Sequence, residues 1–492
     1  MTLIFRIAAI LAALPFLAAP ALAAKDTLTM GMTLEPPHLD PTATAAAATD
    51  EVVYANVFEG LTRIDAAGAV QPALAASWDV TEDGTVYTFH LREGVSFHDG
   101  TQFDAEDVVF SFERAMAEGS VNAQKQIFEP IEAVEALDPR TVKVTLRRPT
   151  GSFLFDLGWG DAVIVAPESA DANRSAPVGT GPFRFERRVA GDRVELTRFE
   201  DYWGEAPALA RATFKFIPDS AAAAAALLAG DIDAFANLPA PELVPQFEAD
   251  PRFTVEIGVT EGETILAMNN AREPFSNLKV RQAISHALNR DAIIQADFDY
   301  GTPIGSHFSP VHPAYVDLTG TYPHDVEKAK ALLREAGYAE GFEATLKLPP
   351  PNYARRAGEI IQQQLAQVGI TVEIVPVEWA QWLEQVFKGA DYDMTVIAHT
   401  EPMDIGIYAR DDYYFGYDSA EFDGVMEELS AEADEGRRHE LMAEAQRILA
   451  EDAVNGFLYQ LPKIGVWNAA VEGLWRNTPI QANDLTEVRW RE

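Results

Sequence analysis

FEATLKLPPPNYARRAGEIIQQQLAQVGITVEIV, residues 342–375, is the stretch on which the fold turns. Residues 342–348 alternate apolar and polar side chains, the period of a strand with one buried face. Three prolines follow, and 354–368 then carries Ala354, Ala357, Ile361, Leu365 and Val368 at helical spacing, with Gly369 as the stop. Residues 370–375 resume a β-branched strand. Strand, helix and strand in that order form a βαβ unit, which requires parallel pairing and a right-handed crossover.

The same α/β texture extends from about residue 264. Helices are expected at 279–295, at 325–336 (Asp325 as cap, Gly337 as stop) and at 435–452, and a strand at 391–398. The tail from Gly456 returns to short strands and turns.

Toward the N-terminus the pattern is more β-rich. Residues 85–93 place Tyr87, Phe89 and Leu91 on one face, after the turn dipeptide Asp83-Gly84. Asp104 caps an expected helix with Val108, Val109, Phe112 and Met116 as its apolar stripe. Residues 183–199 read as a meander. Ala221–Leu228 reads as a helix between Asp219-Ser220 and Gly230. There is no internal repeat and no long Pro/Gly/Ser linker, so two lobes joined by several chain crossings are expected.

At 492 residues the chain exceeds the roughly 250–300 at which one hydrophobic core stops growing. Its 38 Lys and Arg face 76 Asp and Glu, a net charge of −38. That balance excludes a nucleic-acid binder, which needs clustered cations, and disfavours an anionic membrane surface. The absence of cysteine removes disulfides, thiolate metal sites and cysteine nucleophiles. Residues 1–23 read as a signal peptide: Arg6, an uncharged apolar run from Ile7, and the small-x-small end Ala21-Leu22-Ala23. An exported, soluble, periplasmic protein is expected, with no membrane insertion of the mature chain.

Catalytic templates fail. Gly179-Thr180-Gly181-Pro182 precedes strand residues and lacks a phosphate-loop lysine. His439-Glu440 has Ala443 where a zinc helix needs histidine, and there is no Gly-x-Ser-x-Gly elbow. Nine scattered histidines, His307 and His312 the nearest pair, suggest no metal or other cofactor.

The informative cluster is His399, Glu401, Asp404, Tyr408, Tyr413 and Tyr414, with Phe415 and Tyr417 beside it. It begins where strand 391–398 ends, and Arg355 and Arg356 begin the helix after strand 342–348. In open parallel sheets ligands sit outside the carboxyl ends of the strands, so both groups should share one edge. A guanidinium suits a carboxylate, while Glu or Asp with an aromatic face suits an ammonium. The pairing points to a zwitterion.

The chain resembles the oligopeptide/dipeptide/nickel-binding class, family 5, of extracytoplasmic solute-binding proteins of ABC importers. WDVTEDGTVYTFHLREGVSFHDGTQFDAEDVVFSFERA (78–115) carries most of the likeness. VGTGPFRF (178–185), DYWG (201–204), ALLAGDIDAF (226–235), VRQAISHALNRDAII (280–294) and EKAKALLREAGY (327–338) follow in the family's order. The resemblance implies an α/β, two-lobed periplasmic-binding-protein fold of the large cluster C type, with mixed sheets flanked by helices and a hinge between lobes. Residues 24–265 plus 463–492 would form one lobe, with an insert at about 61–177, and 266–462 the other. It implies no catalysis.

In the family's dipeptide binders an arginine matching Arg355 or Arg356 holds the peptide carboxylate. An aspartate in the loop after strand 391–398 holds the ammonium. Here the loop's Asp-Pro-Asp pattern is replaced by HTEPMDIGIYARDDYYF (399–415), with Glu401 and Asp404 nearest. The expected protein is a monomeric receptor that delivers a small, ammonium-bearing, peptide-like solute to an inner-membrane permease. An opine, sugar derivative or nickel chelate is the alternative ligand, and a secreted hydrolase the alternative class.

Overall fold

The computed structural model describes residues 25–44, 46–400, 404–432 and 434–491. The signal segment expected at 1–23 and the candidate Glu401 lie outside the described residues. One mixed sheet runs through the protein. Its strands are β1 (Thr27–Met32), β2 (Phe183–Val189), β3 (Arg193–Arg198), β4 (Arg211–Phe216), β5 (Ala234–Phe235), β6 (Phe253–Met268), β7 (Thr302–Pro303), β8 (Phe342–Leu348), β9 (Ile370–Pro376), β10 (Met394–His399) and β11 (Asn455–Asn468). Their order is β9-β8-β10-β6-β11-β5-β1-β4-β3-β2, with β7 pairing β11.

The βαβ unit forms as read. β8 and β9 pair in parallel from Phe342↔Ile370 to Leu348↔Pro376. The intervening helix, Asn352–Ala366, buries Ala354, Ala357, Ile361 and Leu365 on the sheet. Gly341 (φ +77°) and Gly369 (φ +93°) open the two strands, and a Cβ on Gly341 would overlap the Gly369 carbonyl. Only glycine tolerates both the left-handed backbone and that approach. β10 lies parallel to β8 on its other side.

The two halves of the sheet are joined by β6 and β11, antiparallel neighbours of 16 and 14 residues. In the outer half of β11, Ile464 and Val466 pack with Phe235 and Leu227. In the inner half of β6, Leu266 and Met268 pack with Leu346, Ile361 and Leu365. Between them the ladder loses register, at Val259/Glu263. Each long strand thus serves hydrophobic cores in both halves of the sheet, and the ladder is irregular between them.

A separate four-stranded antiparallel sheet, Ala75–Val80, Val86–Leu91, Thr141–Leu146 and Ile131–Asp138 in that spatial order, has its own core. Tyr87, Phe89 and Leu91 face that core as the alternation predicts. The helix Ala105–Met116 covers it, opened by a capping box in which Asp107 returns a bond to the Asp104 amide. Its buried face is Ala105, Val108, Ser111, Phe112 and Ala115; Met116, expected in the stripe, is exposed. The Gly179 loop is a packing device: a Cβ there would overlap the Val57 carbonyl. Beside it, buried Glu59 accepts from Thr180 (2.8 Å), Tyr202 (2.9 Å) and Trp203 (2.9 Å).

Two elements differ from expectation: the tail, read from Gly456 as short strands and turns, opens with the 14-residue strand β11, and one expected helix divides. The helix expected at 279–295 is two helices, Leu278–Ala287 and Arg290–Ala296. Leu288 turns extended (ψ 121°), and the Asn289 side chain accepts from the Ala292 amide at 3.0 Å. Asn289 acts as the N-cap of the second helix, which restarts helical hydrogen bonding after the extended Leu288.

Candidate functional site

Cross-strand register sets the floor of the site. His399 of β10 stands opposite Glu263 of β6, and Glu263 stands opposite Gln460 of β11. Directly opposed residues in antiparallel strands share a face, so the three side chains form one row. All three are buried. The row lies beside the register break of β6, between the two halves of the sheet.

Two loops add to it. His307 follows β7, and Asp404 opens the 3₁₀ turn Asp404–Ala409 after β10. His307 Nε2 lies 2.6 Å from Asp404 Oδ1, and His399 Nδ1 lies 3.8 Å from Asp404 Oδ2. Asn455 Nδ2 donates to the Tyr408 hydroxyl at 3.2 Å, and that hydroxyl lies 3.3 Å from His307 Nδ1. Glu261, two residues before Glu263, is 9% exposed. Burial, with the Asp404 charge second, pushes its carboxyl up to about 7.

The expected site residues separate into groups. His399, Asp404, Tyr408, Tyr413 and Tyr414 come together, as their shared loop implies. Within that group Tyr408 and Tyr414 are core rings, each 2% exposed. Tyr408 stacks on Phe415 at 4.9 Å, and Tyr414 bonds His399 through its hydroxyl at 2.9 Å. Tyr413 is only partly buried, with the Arg410 guanidinium 5.1 Å from its ring centre.

The arginines leave the same sheet edge from the parallel neighbour β8. Arg356 pairs with Asp297 at 2.8 Å and lies over the Phe298 ring; Asp297 also accepts from Tyr459 at 3.1 Å. Arg355, next to it in the first turn of the helix Asn352–Ala366, is exposed and makes no side-chain hydrogen bond or ion pair among the described residues. A helix N-terminus favours an anion, and Arg355 adds a full positive charge there.

The sequence reading missed Glu261, Glu263 and His307. Two glutamates around Gly262, in a strand otherwise turning apolar, were the available signal. His307 was paired in expectation with His312. Instead, His312 stacks on Phe308 at 4.3 Å, and burial lowers its imidazole to about 4.

This arrangement puts a floor of carboxylates and imidazoles at the crossing strands, with a guanidinium at one sheet edge. The description "Bacterial extracellular solute-binding proteins, family 5 Middle" matches residues 69–419. The chain belongs to that family. It is 35% identical over 353 residues to the dipeptide-binding protein of Escherichia coli (strain K12), covering 65% of this chain. That match takes in 66% of the relative's own length, a little under two thirds. It is 30% identical to di/tripeptide-binding protein 1 of Pseudomonas aeruginosa (strain UCBPP-PA14), covering 85% of each.

Among solved structures, the periplasmic binding protein DppA of Helicobacter pylori, in complex with the peptide STSA, superimposes with a TM-score of 0.83. The two are 27% identical, and the match covers 95% of this chain and 99% of that one. The two-lobed fold with mixed sheets and flanking helices is therefore the one expected. Family 5 is a family of solute-binding proteins. Among the described residues no helix is long and apolar enough to cross a membrane.

Proposed function

We propose that this family 5 protein is the periplasmic receptor of an ABC importer, and that it captures a small, ammonium-bearing, peptide-like solute between two lobes. Residues 24–265 with 463–492, including the insert at about 61–177, form one lobe, and 266–462 the other. It acts as a monomer, without catalysis, and hands its cargo to an inner-membrane permease. Arg355 holds the ligand carboxylate, and Asp404, with Glu261 behind it, receives the ammonium. Tyr413 supplies the contacting ring.

The observation that carries the reading is the opposition of charge along one sheet edge. A guanidinium with no partner among the described residues follows β8, and buried carboxylates surround the end of its parallel neighbour β10. The names of the relatives, dipeptide- and di/tripeptide-binding, point the same way. Calorimetry with a dipeptide, its N-acetyl form and its amide tests it. Both blocked forms should bind much more weakly. Equal binding of the N-acetyl form would turn the reading toward an opine or sugar derivative, and release of free amino acids toward a hydrolase.

Closure is a second expected outcome. Gln481 Nε2 donates to the Thr400 carbonyl at 2.9 Å, and Arg438 packs so closely on Gly151 that a Cβ there would overlap it. Under the proposed division both contacts join the two lobes, which is the closed state. A ligand touching both lobes shifts the population toward that state. Small-angle scattering should give a smaller radius of gyration at saturating dipeptide than without it. An unchanged profile at saturation would remove the clamp.

A further inference from the structure

We infer that a cavity between the second half of the helix Ala105–Met116 and residues 161–165 is a second binding site, separate from the cleft. It takes a small primary ammonium with an apolar body, and Asp161 receives the charge. The cavity measures about 370 Å³, room for roughly a dozen water-sized groups. Every residue lining it falls between Thr42 and Val165. None belongs to β6, β10, β11 or the 404–417 segment that build the proposed cleft. The inference therefore does not rest on the peptide reading.

Most of the wall is apolar. Phe112 and Phe128 meet edge to face at 5.5 Å, and Ala115, Ala162 and Val163 continue the surface. Exposed Ala117, Gly119 and Val121 border the cavity and form its mouth. The neighbouring polar groups are already engaged. Arg114 donates to Thr42 Oγ1 at 2.6 Å and to Asp40 Oδ2 at 3.3 Å, so Asp40 balances its charge. Ser111 Oγ donates to the Asp107 carbonyl at 2.8 Å and accepts from the Val165 amide at 3.0 Å. Asn122 donates to the main-chain carbonyl of Asp161 at 2.8 Å and accepts from the Gln124 amide at 2.9 Å.

The Asp161 carboxylate is the exception. It is 7% exposed, and its Oδ1 has no hydrogen-bond partner among the described residues. Burial outweighs the Asp161 and Gln124 amides and pushes its carboxyl up to about 7. Asp50 repeats the pattern next to it. It packs on Gly160 so closely that a Cβ there would overlap its Oδ1, which also has no partner among the described residues. Burial, with the Asp161 charge second, raises the Asp50 carboxyl too. A cation at Asp161 would relieve both acids. A metal ion would find one open oxygen where it needs several. An ammonium needs one anionic acceptor, and its hydrocarbon body fills the apolar space. Phe112 and Ala162 belong to the core of the four-stranded sheet, whereas Val163 and Val165 belong to the core under β1 and β4. An occupant would touch both cores and brace one against the other.

Calorimetry and thermal melts on the full protein with phenethylamine and 2-phenylethanol, matched in shape and different in charge, test the site. The amine should give one saturable site and raise the melting temperature. It should bind about tenfold to a hundredfold more tightly than the alcohol, the scale of a hydrogen bond to a charged group. Asp161→Asn should remove that preference, weakening the amine by the same factor. Ala115→Leu fills the chamber without changing its charge and should weaken both compounds. Asp404→Asn should leave the amine isotherm unchanged, which separates this cavity from the cleft. If Asp161→Asn does not fold, Ala115→Leu and the selectivity of the wild type decide. Amine binding lost in Asp404→Asn, or kept in Asp161→Asn or Ala115→Leu, would overturn the site, as would equal binding of amine and alcohol or binding that does not saturate.

Discussion

Arg355→Ala should lower dipeptide affinity between about 30-fold and several thousand-fold while leaving the melting temperature near that of the wild type. In a closed, water-poor cleft, loss of one partner strands the other charge, which costs about 2–5 kcal/mol. At about 1.4 kcal/mol per tenfold, that range sets the expected loss. Stability should hold because Arg355 is exposed and partnerless among the described residues.

Arg356→Ala is the discriminating control. It removes the 2.8 Å pair with Asp297 and the stacking on Phe298, leaving a largely buried carboxylate with Tyr459 as its remaining partner. Its cost should therefore appear in stability, with affinity changed by less than about threefold, the scale of a surface pair. Asp404→Asn should fall with Arg355→Ala, since it removes the negative charge opposite the guanidinium. If Arg355→Ala and Asp404→Asn both bind within about threefold of wild type, the zwitterion reading fails and an uncharged ligand replaces it.

Why Arg355 and Arg356 stayed undivided in the sequence is a matter of range. Period and capping are local, so β8, its helix and β9 were legible to within two residues at each boundary. The partner of Arg356 lies at the end of another helix, beyond any local pattern. The same holds for β6 and β11: their pairing spans most of one lobe, and nothing near Phe253 or Asn468 announces it. The site floor was hidden for the same reason. Glu263 looks like an interruption in a strand, and His307 sits in an irregular loop. Only cross-strand register brings Glu263 beside His399 and Gln460. By contrast, the aromatic segment 408–417 was conspicuous, but composition could not tell which rings face the core.

Tyr408 gives the largest expected loss of stability. The ring is 2% exposed, stacks on Phe415 and meets Phe422 edge-on at 6.2 Å. Truncating a buried aromatic to alanine costs about 3–5 kcal/mol, because the transfer term and the cavity term add. Tyr408→Ala should therefore unfold at markedly lower denaturant, and Tyr414→Ala, equally buried and bonded to His399, should do the same. Tyr408→Phe separates ring from hydroxyl: it keeps the packing but deprives His307 Nδ1 and Asn455 Nδ2 of a buried partner, at about 1–3 kcal/mol. Tyr413 is the contrast. Partly buried at the margin of the same cluster, Tyr413→Ala should cost less stability than either neighbour and should weaken dipeptide binding. Urea melts followed by tryptophan fluorescence, with calorimetry on each folded variant, measure both quantities. A Tyr413→Ala protein that binds normally would make all three rings core and leave the ligand without an aromatic contact from this segment. Near-wild-type stability in Tyr408→Ala would instead mean that its ring packs against something the folded protein can do without.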